Sequence, residues 1–353
     1  MKKFDVILLV SIIVMIAFGL LMIYDASSVI AFRDFKDKYH YIKDQLIWVV
    51  LGFIGLSVAY RFPYKNLYNL ALPFLAISLG LLIAVFIPGI GVSALGAHRW
   101  INLHFTVLQP TEFVKLCLAI YLAAWFSTKE TGRLPAFALL LGSILFFVML
   151  QPDMGTASII MAEAIIMYFL SGGNMMHFAI GMPVLGVLGF IFIKLEPYRA
   201  ARLASFMNTG SSLENVSYHV KQILIALGSG GLFGVGLGNS IQKYAYLPEN
   251  VTDSIFAIVA EEFGFFGSVI LMGMCFVIIW RGFMIAGQTK DQFGKLLAAG
   301  ITSFLGLQMA VNLAAMTALV PLTGVPLPFI SYGGSALIVD MIAIGVLLNI
   351  SKQ

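Results

Sequence analysis

"VILLVSIIVMIAFGLLMIY", residues 6–24, runs for nineteen residues without one charge. An uncharged apolar stretch of about 18 residues or more reads as a membrane-crossing helix. Lys2 and Lys3 precede it as they would in a secretion signal. The run outlasts the apolar core of such signals, and more apolar windows follow, so it reads as an uncleaved first span.

Working outward, further windows fall near 45–60, 70–88, 107–126, 136–150, 155–170, 177–194, 254–280, 296–320 and 330–350. The expectation is an all-α, polytopic membrane protein with ten transmembrane helices, forming a single domain over 1–353. Composition agrees: 60% of residues are hydrophobic and 11% are charged, against about 25% charged in soluble domains. Mean hydropathy is +0.96. The net charge of +4 is scattered, with no basic tail or aromatic-basic platform, which argues against a nucleic-acid partner. Cys117 and Cys275 fall inside separate apolar runs and read as packing residues.

One connection is long. Residues 195–253 carry the glycine-rich "GSGGLFGVGLG" (228–238) and the apolar "VKQILIAL" (220–227), so short helices at the membrane surface are expected there. With this segment set aside, ten Lys and Arg fall on the side of the termini and five on the other. The excess places both termini in the cytoplasm and the long loop outside.

Charges inside apolar segments carry the functional information, because each costs about 2.5–3.5 kcal/mol at the bilayer centre. "RWINLHFTVLQPTEFVKL" (99–116) sets Gln109, Glu112 and Lys115 at the start of the fourth span, after Arg99. Glu112 and Lys115 share a helix face; they form either a structural ion pair or an anion site. In "QPDMGTAS" (151–158), Asp153 suits a helix cap. In "EPYRAARLASF" (196–206), Arg199 and Arg202 are spaced to hold a phosphate together, or to face solvent. "YLPENVTDSIFAIVAEEFGFFGS" (246–268) holds Asp253 just ahead of an apolar run and Glu261 and Glu262 within it. On an ideal helix, Glu261 lies about 80° and Glu262 about 180° round from Asp253. The pair therefore reads as structural or supporting, and Asp253 as either a cap or the carboxylate able to act. "VPLTGVPLPFISYGGSALIVD" (320–340) is broken backbone, tolerated at membrane depth only where protein or a cavity covers it.

Together, "RWINL", "QPTEFVK", "QPDMGT", "YHVKQILIALGSGGLFGVGLGNSIQKYAYLPENVTDSIFAIVAEEFG" and "PLTGVPLPFISYGGSALI" resemble the SEDS family of membrane peptidoglycan polymerases, the RodA, FtsW and SpoVE proteins. "GLGNSIQKYAYLPE" and "GVLLNIS" look more like the division-type FtsW members. Two positions depart from the family pattern: Ser254, where Phe is common, and Asp25, where Ser is usual.

The resemblance implies a bacterial inner-membrane enzyme that polymerises lipid II by inverting glycosyl transfer and releases undecaprenyl pyrophosphate. It implies ten spans with cytoplasmic termini. It maps the family's essential loop carboxylate onto Asp253 by the "LPENVTD" context. Arg99, Gln109, Glu112, Lys115, Arg199, Arg202, Lys243 and Glu249 are the substrate-binding candidates. Asp153, Glu261, Glu262, Ser331 and Tyr332 are the supporting ones. It further implies a divalent cation, Mg or Mn, no organic cofactor, and as partners a class B penicillin-binding transpeptidase and other division or elongation membrane proteins. An elongation-type polymerase, a lipid II flippase and a recruiting scaffold are the alternatives.

Overall fold

The computed structural model describes residues 4–94, 97–102, 106–128, 132–174, 176–177, 181, 186, 217–244 and 246–352. Among these lie ten α-helices: α1 Val6–Phe35, α2 His40–Arg61, α3 Leu67–Ala84, α4 Pro110–Phe126, α5 Leu134–Leu150, α6 Met154–Leu170, α7 Tyr218–Gly230, α8 Ile255–Gln288, α9 Gln292–Met316 and α10 Gly334–Ile350. Nine of the ten apolar windows become helices. Most of the seventh, 177–194, and the Arg199–Arg202 pair lie outside the described residues. In the long loop, α7 is the described short helix. α1, α2, α3, α8 and α9 are long and apolar enough to cross a membrane. α4, α5, α6 and α10 have 17 residues each, about 25 Å of helix and the short end of what a bilayer accepts.

One end of the bundle gathers the described parts of both chain ends. Asp5 caps α1 by accepting the Leu8 N–H at 2.9 Å and pairs with Arg281 of α8, while its own N–H donates to Ser351 Oγ. Nearby, the Asn349 amide donates to the Tyr60 carbonyl at 2.6 Å, and its oxygen takes the Tyr64 N–H at 3.0 Å. These bonds cap the start of α1 and the end of α2 with side chains and tie both to the end of α10.

Small residues bring α2 and α10 together. A Cβ on Gly345 would sit 2.5 Å from the Leu56 carbonyl oxygen, and one on Gly55 would sit 2.9 Å from the Ile342 side chain. Close backbone approach of this kind replaces the hydrophobic effect, which lipid does not supply between helices. α9 is the central helix, enclosed by α4, α6 and α8.

Two features depart from the sequence expectation. Residues Gly91–Ala94, Ala97–Asn102 and Val107–Leu108 form a small antiparallel sheet, β1, β2 and β3, ordered β1-β2-β3 ahead of α4. The sequence reading leaves 89–106 as a loop and counts Val107 and Leu108 into the fourth span, which instead begins at Pro110. The second departure is α8, which breaks at Gly264 (φ 66, ψ −162) and is two helices end to end.

That break is mended by the glycine-rich loop. Val235 and Gly236 donate their N–H groups to the Glu261 and Glu262 carbonyls at 3.0 Å each. Phe265 and Phe266 donate to the Gly231 and Leu232 carbonyls at 2.9 and 3.2 Å. Four backbone groups freed by the kink thus find partners, as a low-dielectric surrounding requires. Gly231, Gly234, Gly236 and Gly238 have positive φ, which lets the loop fold back onto the break.

Gly264→Ala is therefore expected to destabilise the detergent-solubilised protein by at least about 2 kcal/mol. Its Cβ would strike the backbone of Leu232 and Gly234. Gly273→Ala, in the same helix with nothing within 4 Å, serves as the control. Equal thermal midpoints for the two variants would contradict this account of the kink.

Candidate active site

Asn250 to Ser254 form an irregular turn on top of α8, level with residue 26 of α1, whose carbonyl takes the Asn250 amide at 3.0 Å. That is about 30 Å up α1 from Asp5 at the helical rise. The turn begins at Glu249, a non-glycine in the left-handed region (φ 51). The Glu249 carbonyl accepts the N–H groups of Thr252 and Ser254 at 3.2 and 3.0 Å, and its carboxylate accepts Thr252 Oγ1 at 2.8 Å.

The Pro-Gly segment 320–333 lies against this turn. Asn312 of α9 donates to the carbonyls of Asp253 (2.9 Å) and Val325 (2.7 Å) from one amide nitrogen. Ser331 Oγ donates to the Thr252 carbonyl at 2.6 Å and accepts the Leu327 N–H at 2.8 Å. The Tyr332 N–H donates to the Val251 carbonyl at 2.9 Å. Ser331 and Tyr332 thus support the turn. Asp253 is half-buried, and its carboxylate lies beside Gly324, where a Cβ would stand 3.5 Å from Oδ2. Gly324 has φ 71, so glycine is needed there to keep the segment against Asp253. The residue at the cap position of α8 is Ser254, which makes no capping bond; its hydroxyl meets His219 Nε2 of α7 at 2.8 Å.

Glu261 and Glu262 both serve the turn 240–243. Glu261 accepts from the Ser240 hydroxyl, from the N–H groups of Ile241 (3.2 Å) and Gln242 (3.4 Å), and from Ser229 Oγ (3.4 Å). Glu262 accepts the Ser240 N–H at 3.1 Å and Lys243 Nζ at 3.0 Å. Neighbours nearly 100° apart on a helix reach the same turn because that turn wraps round the kink.

Lys243 also donates to both oxygens of Asp25 at 2.9 and 3.0 Å. Burial on its own would lower the Lys243 ammonium; the hydrogen bonds to Asp25 and Glu262 outweigh it and hold the pKa above the ordinary lysine value. Asp25, one of the two departures from the family pattern, is thereby explained as half of a buried lock. Lys243, at 4% exposure, is engaged by two carboxylates.

The other candidates separate by location. Arg99 is tied to the α5–α6 turn, donating to the Gln151 carbonyl at 3.0 Å and to that of Pro152. Asp153 caps α6 through the Thr156 N–H and hydroxyl at 3.1 and 2.8 Å. Gln109 bridges to Thr111 and to Ser335 of α10. Glu112 and Lys115 pair at 2.7 Å, both fully buried, and Lys115 also donates to Gln308 of α9. Gln308 in turn donates to the Pro326 carbonyl at 3.2 Å. The ion pair is thus linked through one side chain to the segment that flanks Asp253.

Sequence reasoning missed Glu163 of α6 and Asp340 of α10. Both are fully buried, and their carboxylate oxygens have no hydrogen-bond partner among the described residues. The charge of Lys115 reaches both. Each is the single acid of its apolar window, and that was the available signal.

Replacing Lys243 with Met would leave Asp25 and Glu262 facing each other in a mostly buried site. A loss of about 3–5 kcal/mol is expected, as when one partner of a buried pair is removed. The triple change Lys243→Met, Asp25→Ser, Glu262→Gln should recover most of it. Thermal melts in detergent read both, and an unshifted midpoint for Lys243→Met would refute the lock.

Comparison with known proteins places this arrangement. The family described as "Cell cycle protein", FtsW/RodA/SpoVE, matches residues 5–353. A "Probable peptidoglycan glycosyltransferase FtsW" from Trichlorobacter lovleyi is 38% identical, over 99% of this chain and 94% of that protein. "Stage V sporulation protein E" of Bacillus subtilis is 36% identical, over 99% and 97%. Among solved structures, a chain from "Structural coordination of polymerization and crosslinking by a peptidoglycan synthase complex" aligns with TM-score 0.82 at 25% identity, over 99% and 98% of the two chains. The Rod shape determining protein RodA of Thermus thermophilus aligns with TM-score 0.74 at 26% identity, over 99% and 97%. With ten helices among the described residues, a profile match along nearly its whole length and relatives of the same extent, the chain belongs to the FtsW/RodA/SpoVE family of multi-pass membrane proteins.

Proposed function

We propose that this protein is a peptidoglycan glycosyltransferase that polymerises lipid II, with Asp253 as the base. The observation that carries the reading is the placement of Asp253. It is a half-buried carboxylate at the end of the bundle away from Asp5, with its backbone held by Asn312 and its side chain beside Gly324. Family membership and the FtsW names of the relatives support it. Those names favour a division role over an elongation one.

In the inverting transfer, the acceptor 4-hydroxyl oxygen attacks the anomeric carbon of the donor sugar. The bond from that carbon to the diphosphate oxygen breaks, the diphosphate departs with the electron pair, and the hydroxyl proton passes to the Asp253 carboxylate. Positioning a base in this way contributes about 10²–10⁴-fold. The turn around Asp253 is bonded at residues 250, 251, 252, 253 and 254, so the base is set before substrate arrives.

The departing diphosphate needs positive charge. Arg99, Lys115 and Lys243 are bonded to protein groups, which leaves a role for a divalent cation. Among the described residues no three metal-ligating side chains converge. Asp253 is the carboxylate that would hold such an ion from the protein side, with diphosphate oxygens supplying the rest, as Mg²⁺ is commonly bound. When bound, the ion would neutralise the leaving group.

A class B penicillin-binding transpeptidase is the partner this reading implies; the peptidoglycan synthase complex among the similar structures supports it. Cytoplasmic termini follow from the basic residues of the short loops, with Asp253 on the outer side.

The buried line of Asp340, Glu112, Lys115 and Glu163 favours a second reading, lipid II translocation. It predicts that Lys115→Met stops movement of lipid II across liposomes while Asp253→Ala does not.

Purified protein with its transpeptidase partner and fluorescent lipid II tests the polymerase reading. Asp253→Ala should lower glycan synthesis by at least about 100-fold, and a chelator should stop wild-type synthesis until Mg²⁺ or Mn²⁺ is restored. Undiminished synthesis by Asp253→Ala would reject Asp253 as the base.

A further inference from the structure

We infer that Tyr41 and Tyr332 form a stacking site for an N-acetylhexosamine ring of the glycan, on the α1–α2 side of Asp253. The inference rests on the glycosyl-transfer reading and adds where the sugar chain lies. The first turn of α2 packs on residues 332–333. The Tyr41 and Tyr332 rings meet edge-to-face, with centroids 5.2 Å apart at 87°, and Gln45 accepts the Gly333 N–H at 3.3 Å. Tyr332 is joined through its N–H to the Val251 carbonyl, two residues from Asp253. Both tyrosines are half-buried, so each keeps some open surface.

The charges at this edge nearly balance, with Arg33, Lys36, Lys38 and Lys43 against Asp34, Asp37 and Asp44 on residues 33–44, and Glu249 acting on Tyr41. The fields of Asp34 and Glu249 reach the Tyr41 ring, and that of Asp44 reaches Tyr332. Arg33 is paired with Asp34, and Lys43 with Asp37, at 2.6 Å each. Charges paired and balanced in this way give a diphosphate no net attraction, while the carboxylate oxygens still accept hydrogen bonds from neutral hydroxyl and amide groups. Tyrosine faces carry negative quadrupole density, which attracts the slightly positive C–H groups along one side of a pyranose. Interfacial anchoring is the other common use of tyrosine in membranes. Here Phe32, Phe35 and Tyr39 are the exposed aromatics suited to it, whereas the Tyr41 ring meets Tyr332, and also Phe35 and His40, edge-to-face. The glycan therefore lies over α2.

The test uses the full chain in nanodiscs and chitotetraose, a β-linked N-acetylglucosamine tetramer, read by saturation-transfer NMR. Wild type and Tyr41→Phe should transfer saturation to the sugar, and inorganic pyrophosphate should not displace it. Tyr41→Leu and Tyr332→Leu should weaken binding about fivefold and shorten the glycans made from lipid II. No transfer from wild type, unchanged binding by folded leucine variants, or displacement by pyrophosphate would each overturn the inference. Wild type that binds chitotetraose yet leaves lipid II unpolymerised would instead sink the polymerase reading and spare the sugar site.

Discussion

A helix that breaks inside a bilayer must hand its loose amides and carbonyls to some other part of the chain, because lipid accepts none of them. The break at Gly264 does this through residues 231–236, and much of the upper half of the molecule follows from that pairing. Wrapping the glycine-rich loop round the kink brings the turn 240–243 over Glu261 and Glu262. Those two carboxylates then hold Ser240 and Lys243, and Lys243 reaches Asp25 on α1. Three carboxylates on one greasy segment are thus two kinds of residue. Two tie a loop to a broken helix, and the third, Asp253, is presented by a separate turn, 250–254, that Asn312 and Ser331 hold.

The same interactions limit what the basic residues can do. Sequence reading gathers Arg99, Lys115 and Lys243 around a departing diphosphate, since cations on one side of a membrane protein suggest a common ligand. Each is bonded to protein groups: Arg99 to two carbonyls, Lys115 to Glu112 and Gln308, Lys243 to Asp25 and Glu262. Spacing along a chain gives no information about contacts made across helices, so apart from Glu112, three residues from Lys115, the partners of these cations were illegible until the bundle was assembled. Arg199 and Arg202 stay outside the described residues.

Helices were the legible part of the fold, because an apolar run of near-bilayer length has few other uses. Asp153 as a cap and Glu112–Lys115 as a pair were legible because both depend on spacings of three residues within one helix. The small sheet at 91–108 was not, since its strands are only two to six residues long. The kink was not legible either: glycine is common in membrane helices, and only the φ of Gly264 distinguishes it. Glu163 and Asp340 were in plain view as lone acids in apolar windows, passed over because no neighbour in sequence suggested a role. The Tyr41–Tyr332 contact joins residues nearly three hundred positions apart, beyond any local pattern.

The seating of Gly345 on the Leu56 carbonyl acts as a mechanical stop. Axial slip of α10 along α2 by one turn, about 5.4 Å, would set Met341 or Asn349 against that oxygen in place of glycine. The two helices can tilt as one rod but cannot slide like a piston. Because α10 follows directly from Tyr332 and Gly333, and Tyr41 sits on α2, the two tyrosines ride on the same rod. Any opening of the Asp253 turn then falls to the lighter segment 320–331, with Pro321, Pro326 and Pro328 as its pivots, while the paired helices stand still.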